Sequence, residues 1–260
     1  MTLREQLTAA TGKGHLSYSS IKYALGDMQL WEMKMKGQAP YTSDALVFGT
    51  MYDMLLFERD KAFAEYKVIE EEDVLERCQS KTLLAKNPKL TSDYKTIKAQ
   101  MAEEYKEKGQ TITSSADWKT ANDMVERLAV CGLLKKRLTG KYQVEFNEDI
   151  DGVPLRGFLD CLGDGFITDS KSSRSVDKFR YDINSFSYDI QAYIYTKVFN
   201  IKDYYWVVQE KTHPYYPAEI KCSEETLFKG EMKYHQALEN IKVYLKNKEP
   251  ELNCYASYVV

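Results

Sequence analysis

The chain has 260 residues, 43% of them hydrophobic, which is enough for one globular domain with a sizeable core. Its 36 Lys and Arg against 39 Asp and Glu leave a formal net charge of -3. That balance argues against coating nucleic acid by bulk charge and leaves room for a local basic groove. The five cysteines, Cys78, Cys131, Cys161, Cys222 and Cys254, are widely spaced with no CxxC pair. Such spacing argues against a disulfide framework and against a tetrathiolate zinc or iron–sulfur centre. The opening MTLREQLTAATGKG has no apolar core, and no run reaches the ~20 apolar residues of a membrane span. The expectation is a cytoplasmic protein, without membrane attachment, that keeps its thiols reduced.

No internal repeat, low-complexity tract or Pro/Gly/Ser linker divides the chain, so residues 1–260 are read as a single domain. Residues 1–140 read as mostly helical. Ser19 or Ser20 can cap a helix that carries Ile21, Ala24, Leu25, Met28 and Trp31 on one face. Ser43 and Asp44 open another, with Val47, Phe48, Met51, Met54 and Leu55 at helical spacing. Two charged helices are predicted near 92–108 and 116–137, the second starting at Ser114 and Ser115 and ending before Gly140. From 141 the texture becomes strand-like, with runs from Tyr142 to Asn147, Pro154 to Leu162 and Phe166 to Lys171 joined by turn-rich segments. A helix over 187–199, strands near 203–210 and 216–222, and a helix from Ser223 to about 247 complete the order. Residues 141–222 thus hold the sheet, and 223–260 a final helix and tail. The fold class predicted is α+β, built on one mixed sheet.

The stretch GFITDSKSS, residues 165–173, raises the functional question. Strand side chains alternate, so Asp169 and Lys171 share a face while Ser170 points away. Asp160 lies across a tight hairpin, so the two aspartates can converge at neighbouring strand ends. Two carboxylates with a backbone carbonyl suit a hard cation such as Mg²⁺, and a lysine beside it can orient or deprotonate a water. The arrangement makes sense as a metal-assisted phosphodiesterase; the same triplet also fits a hairpin with a solvated Asp–Lys pair. Gln191 and Tyr195, at i and i+4, share one face of the following helix and can reach a phosphate or a metal-bound water, or Tyr195 simply faces the core.

The run GVPLRGFLDCLGDGFITDSKSSRSVDKFRYDINSFSYDIQAYIYTKVFN resembles the catalytic core of the PD-(D/E)xK (restriction-endonuclease-like) nucleases. More closely it resembles the RecE-type, exonuclease VIII-like phage and prophage exonucleases, relatives of the RecB nuclease domain. HLSYSSIKYAL resembles that family's opening helix, FGTMYDMLLFE its Gly-Thr-x-x-His-x-x-x-Leu-Glu helix and EMKYHQALENIKVYL its closing helix. Four motifs in order cover nearly the whole chain. The resemblance implies Asp160 and Asp169 as metal ligands, a further ligand from the Ser170 carbonyl, Lys171 as catalytic lysine, and Gln191 and Tyr195 as a QxxxY helix. It also implies an upstream acidic ligand, assigned to Glu145, with Gln143 on the same face as the other choice; Glu145 can equally be a solvent-side carboxylate of its strand. Where the relatives carry His, this chain has Asp53, which either ligates the cation, with a changed preference between Mg²⁺ and Mn²⁺, or is an ordinary polar helix residue.

The activity implied is 5′-to-3′ exonucleolytic hydrolysis of linear double-stranded DNA, leaving 3′ tails for recombination. A ring-shaped homo-oligomer, a phage single-strand annealing protein as partner, and a phage or prophage origin are implied with it. A PD-(D/E)xK endonuclease, or a DNA-binding scaffold impaired by Asp53, are the competing readings. Arg174, Lys178 and Arg180 follow the active-site strand and are candidate DNA-backbone contacts, with Phe179 or Tyr181 stacking on a frayed base; a solvated loop is the alternative. Lys135, Lys136, Arg137 and Lys141 make a second basic cluster, read either as a solvated helix end or as phosphate contacts. His15, His213 and His235 form no metal-ligand spacing. Many of the 20 tyrosines, Tyr193, Tyr204 and Tyr205 among them, are expected in the core with their hydroxyls at its rim.

Overall fold

Short helices follow one another through the first half of the chain because capping side chains recur along it. A computed structural model describes residues 1–38 and 43–247. Thr2 and Glu5 form a reciprocal cap on α1 (Leu3–Thr11), the Glu5 N–H donating to the Thr2 hydroxyl at 3.3 Å and the Thr2 N–H to the Glu5 carboxylate at 2.8 Å. Ser17, rather than Ser19 or Ser20, caps α2 (Tyr18–Tyr23). The one helix expected through Trp31 is two. Asp27 accepts the Gln29 and Leu30 N–H groups at 2.8 and 3.2 Å, which stops the first and opens α3 (Met28–Met35). Ser43 caps α4 (Asp44–Phe57) as expected. Next come α5 (Arg59–Glu65), β1 (Tyr66–Val68), α6 (Glu71–Arg77), α7 (Ser80–Leu83), a 3₁₀ turn at Pro88–Leu90, α8 (Ser92–Glu107) and β2 (Thr111–Thr113). Strands β1 and β2 pair in parallel, beside a small cluster of Ile69, Val74, Tyr94 and Met101. The helix expected over 116–137 breaks at Gly132, φ +80°, into α9 (Ser115–Cys131) and α10 (Leu133–Arg137), because that left-handed turn cannot continue a right-handed helix.

The second half carries β3 (Lys141–Ile150), β4 (Val153–Leu162), β5 (Phe166–Ser173), α11 (Phe179–Ser185), α12 (Tyr188–Phe199), β6 (Asp203–Glu210), β7 (Pro217–Lys221) and α13 (Glu224–Lys246). The five strands lie in chain order in one sheet, antiparallel except where β5 and β6 run parallel. A parallel neighbour needs a crossover, and α11 and α12 make it. The α+β class with one mixed main sheet is what the periodicity predicted.

Side chains of β6 alternate between two cores. Tyr204, Trp206 and Val208 pack with Ile190, Tyr234 and Ile241 of α12 and α13, and with Trp31 of α3. Val207, between them, packs with Met51, Tyr52 and Leu55 of α4 and Met124 and Leu128 of α9. The sheet is therefore covered on both faces, which buries β5 from Ile167 to Ser170.

The hairpin of β3 and β4 outruns the rest of the sheet. Strand β4 meets β5 at two pairs only, Cys161 with Thr168 and Leu162 with Ile167. Further back Leu16 takes the vacated edge: its N–H donates to the Pro154 carbonyl, and the Arg156 N–H donates to its carbonyl, both at 2.8 Å. Among the described residues no helix is long and apolar enough to cross a membrane, and the four described cysteines are free thiols. Cys254 and the expected tail lie outside the described residues.

Candidate active site

Where β4 and β5 part, the side chains that follow the last ladder pair are left facing each other. Continuing the register by one residue sets Asp160 opposite Asp169. The backbone pairing does not continue; instead the Ser170 N–H donates to Asp160 Oδ2 at 2.9 Å. A carboxylate thus stands where a strand carbonyl would, and it is fixed by the fold. Asp169 is 0% exposed. One of its oxygens accepts from Gln191 Nε2 at 2.8 Å, and the other is ion-paired with the Lys171 ammonium. Lys171 also donates to the Ser170 carbonyl at 3.2 Å and sits 5.1 Å from the centre of the Tyr188 ring.

The helix face expected from Gln191 and Tyr195 is present, with a different use. The Tyr195 hydroxyl donates to the Phe158 carbonyl at 2.8 Å and accepts from Gln191 Nε2 at 3.4 Å. These side chains brace Asp169 and the outlying part of β4 rather than standing free for a phosphate. Gly157 makes the approach possible: a Cβ there would lie 2.8 Å from the Phe146 ring and 3.6 Å from the Tyr195 hydroxyl.

Asp53 comes into the cluster from α4. Its pKa is raised well above the usual carboxylate range, by burial first and then by the neighbouring Asp160. Burial likewise raises Asp160, against the opposing pull of Lys171. Asp169 is pushed up to about 7, again by burial, with Lys171 opposing and Asp160 adding to it. For Lys171 burial works against the charge, but Asp169 and Asp160 outweigh it and keep the group protonated beyond the ordinary lysine range.

Glu145, expected as the upstream acidic ligand, is placed elsewhere. It is exposed and paired with Arg156 across the hairpin, Arg156 Nη2 to Glu145 Oε1 at 2.7 Å. Gln143 reaches the site in its stead. It has φ +47° and interrupts the β3–β4 ladder opposite Asp160, and its side chain favours the charged form of Asp160. The strained backbone turns Gln143 inward and leaves Glu145 outside.

Among the described residues no three His, Cys, Asp or Glu side chains are gathered tightly enough to hold a metal by themselves. Asp160, Asp169 and the Ser170 carbonyl offer hard oxygen donors to which waters would be added, the habit of Mg²⁺. Three carboxylates crowd one ammonium, Asp169 buried and Asp53 and Asp160 half-buried; their raised pKa values express the cost of ionising them together, which a divalent cation relieves. The residues present fit such a cation.

Arg174, Lys178 and Arg180 are exposed on the segment that leaves β5. Phe179 is not available for stacking. It is 1% exposed, stacked on Tyr188 with centroids 5.8 Å apart and set edge-on to Trp206 at 6.0 Å. Tyr181 is the exposed ring, with the Arg180 guanidinium 4.8 Å from its centre. In the second basic cluster Arg137 and Lys136 bind Glu219 of β7, at 2.8 and 3.0 Å, and the Arg137 guanidinium lies 3.8 Å from the Tyr205 ring centre. That cluster ties α10 to the sheet. Sequence reasoning preferred Glu145 to Gln143, its other choice, and missed Tyr18, Lys22 and Tyr188 around the ammonium. The i, i+4 spacing of Tyr18 and Lys22 was the available signal.

A family model described as a PDDEXK-like domain of unknown function (DUF3799) matches residues 17–257. No curated protein matches the chain. A crystal structure of a provisionally named exonuclease from Eubacterium rectale has the same fold at TM-score 0.59 and 17% identity, over 94% of this chain and 85% of that one.

Proposed function

We propose, because the chain belongs to the PDDEXK-like family whose model spans residues 17–257, that it is a metal-dependent DNA nuclease of the exonuclease kind. One observation carries the reading: β4 and β5 part at the point where Asp160 and Asp169 face each other beside Lys171. Asp160, Asp169 and the Ser170 carbonyl would hold the cation, Mg²⁺ or Mn²⁺. When bound, it supplies charge stabilisation for the phosphate under attack. Gln191 holds the Asp169 carboxylate in orientation, and Tyr195 holds β4 against α12. The Lys171 ammonium, kept charged by its two aspartates, donates to the phosphate and offsets its negative charge. In this state it is a donor rather than the proton acceptor its position in the sequence suggested. The finer reading is 5′-to-3′ resection of linear duplex, which is what the resemblance to the RecE-type exonucleases implies.

The test is digestion of 5′-end-labelled linear duplex and of a covalently closed circle, in Mg²⁺ and in Mn²⁺. Wild type stands beside Lys171→Ala and Asp169→Ala. Labelled mononucleotide from the linear substrate, by wild type alone and with the circle spared, is the expected result. A cut circle would assign an endonuclease, and binding without cleavage a scaffold.

A further inference from the structure

One cation beside the catalytic lysine has no counter-ion among the described residues. Lys22 projects from α2 and is half-buried. Its ammonium lies over the rings of Tyr18 and Tyr23, 5.3 Å from each centre, and among the described residues it meets no carboxylate and makes no hydrogen bond. Tyr18 places this group at the site. Its hydroxyl donates to the Phe186 carbonyl at 2.5 Å, and the Phe186 ring lies 5.6 Å from that of Tyr188, over which the Lys171 ammonium sits. Helix α2 and the corner between α11 and α12 therefore wall one side of the Lys171 cleft. The three carboxylates gather around Lys171, and Asp169 is already engaged with it. On the α2 side two ammonium groups are left repelling each other: burial, then Lys171, then Lys34 disfavour the charged form of Lys22.

We propose that Lys22 and Tyr18 form, with Lys171, an anion subsite that takes a second phosphate of the strand being cut, adjoining the scissile phosphate at the cation site of Asp160 and Asp169. The inference rests on the nuclease reading and extends it. A phosphodiester between the two ammonium groups replaces repulsion with two charge-assisted hydrogen bonds. Tyr18, Phe186 and Tyr188 give the neighbouring sugar or base an aromatic wall. Lys22 contributes to substrate binding at the expense of stability in the free protein, where it is an uncompensated cation.

The experiment measures the affinity of the full chain for a labelled linear duplex over a range of salt, with metal chelated so that nothing is cleaved. Wild type, Lys22→Met and Lys22→Arg are compared, with a melting curve for each. Lys22→Met is expected to bind about tenfold more weakly, the order of one charge-assisted hydrogen bond. Its plot of log K against log salt is expected to be shallower by about 0.9, the loss of one phosphate contact. Lys22→Arg keeps both properties, and Lys22→Met melts no lower than wild type. Equal affinity and equal slope for wild type and Lys22→Met would overturn the subsite while leaving the nuclease reading standing. Inorganic phosphate raising the melting point of wild type alone, with duplex affinity unchanged by Lys22→Met, would assign the site to a free anion and overturn the proposal as stated. A wild type that neither binds nor cuts DNA fails the nuclease reading first, and the subsite with it.

Discussion

Asp160 accepts the backbone N–H of Ser170 at 2.9 Å, in the place where the β4–β5 ladder has just ended. A side chain has taken over a backbone acceptor's role, so the same carboxylate both seals the end of the ladder and faces Asp169. Stability and chemistry can be separated there by substitution. Asp160→Asn keeps an oxygen for Ser170 and removes one of the converging charges. It should melt within about 1 kcal/mol of wild type or above it, and cleave nothing. Asp160→Ala leaves the buried N–H without its partner and should lose about 1–3 kcal/mol. Thermal melting beside the digestion assay checks both.

Metal removal gives a second expectation. If Asp160, Asp169 and the Ser170 carbonyl hold the cation, Mg²⁺ or Mn²⁺ raises the melting point of wild type. At a free concentration one hundred times Kd the gain is about 2.7 kcal/mol. Asp169→Asn and Asp160→Asn should show little of that gain, and chelator should return wild type to its metal-free curve. A scan of melting point against metal concentration for the three proteins reads this directly.

Tyr195→Phe removes one hydroxyl that serves both the Phe158 carbonyl and Gln191. The cost expected is about 1 kcal/mol, because the part-buried Phe158 carbonyl loses its donor. Cleavage should fall less than in Asp169→Ala, since the carboxylates and Lys171 remain. Denaturant unfolding and initial rates, measured on the same preparation, separate the two effects.

The rings after β5 should behave oppositely. Phe179→Ala empties a buried space between Tyr188 and Trp206 and should cost about 3–5 kcal/mol. Tyr181→Ala should leave the melting point alone. Alanine at Arg174, Lys178 or Arg180 should also leave it alone, while each true phosphate contact removed makes the salt dependence of duplex binding shallower by about 0.9.

Glu219 offers a pH-dependent test away from the site. Burial pushes its carboxyl up, but the hydrogen bonds from Arg137 and Lys136 prevail and hold it below its ordinary 4.5. A folded value below the unfolded one means the stabilisation is fully present above pH 4.5 and lost as pH falls through the folded value. Glu219→Gln should therefore cost about 1 kcal/mol at pH 7, reduced by the solvent that reaches the pair. The difference should close as unfolding is measured at progressively lower pH.

Much of the site was legible because its signals are local. Strand alternation places Asp169 and Lys171 on one face, and helical spacing puts Gln191 and Tyr195 together. The strand pair β1 and β2 was invisible because three residues carry no usable period. The break at Asp27 was missed because its carboxylate competes for backbone N–H groups inside what otherwise reads as a continuous apolar face. Phe179 looked available only because its partners, Tyr188 and Trp206, come from later elements.

Local periodicity and turn chemistry, then, determined the five strands β3 to β7 and the helices α12 and α13 in their order, though not α11, together with the α+β class and the residues Asp160, Asp169 and Lys171. Those properties depend on neighbours a few residues apart, so the chain states them directly. Only the tertiary structure decided that β4 leaves β5 after two pairs, that Gln143 turns in while Glu145 pairs with Arg156, and that α4 and α2 bring Asp53 and Lys22 to the cleft. Each is a contact between segments far apart in the chain, set by which apolar faces bury against one another, and no local pattern encodes it.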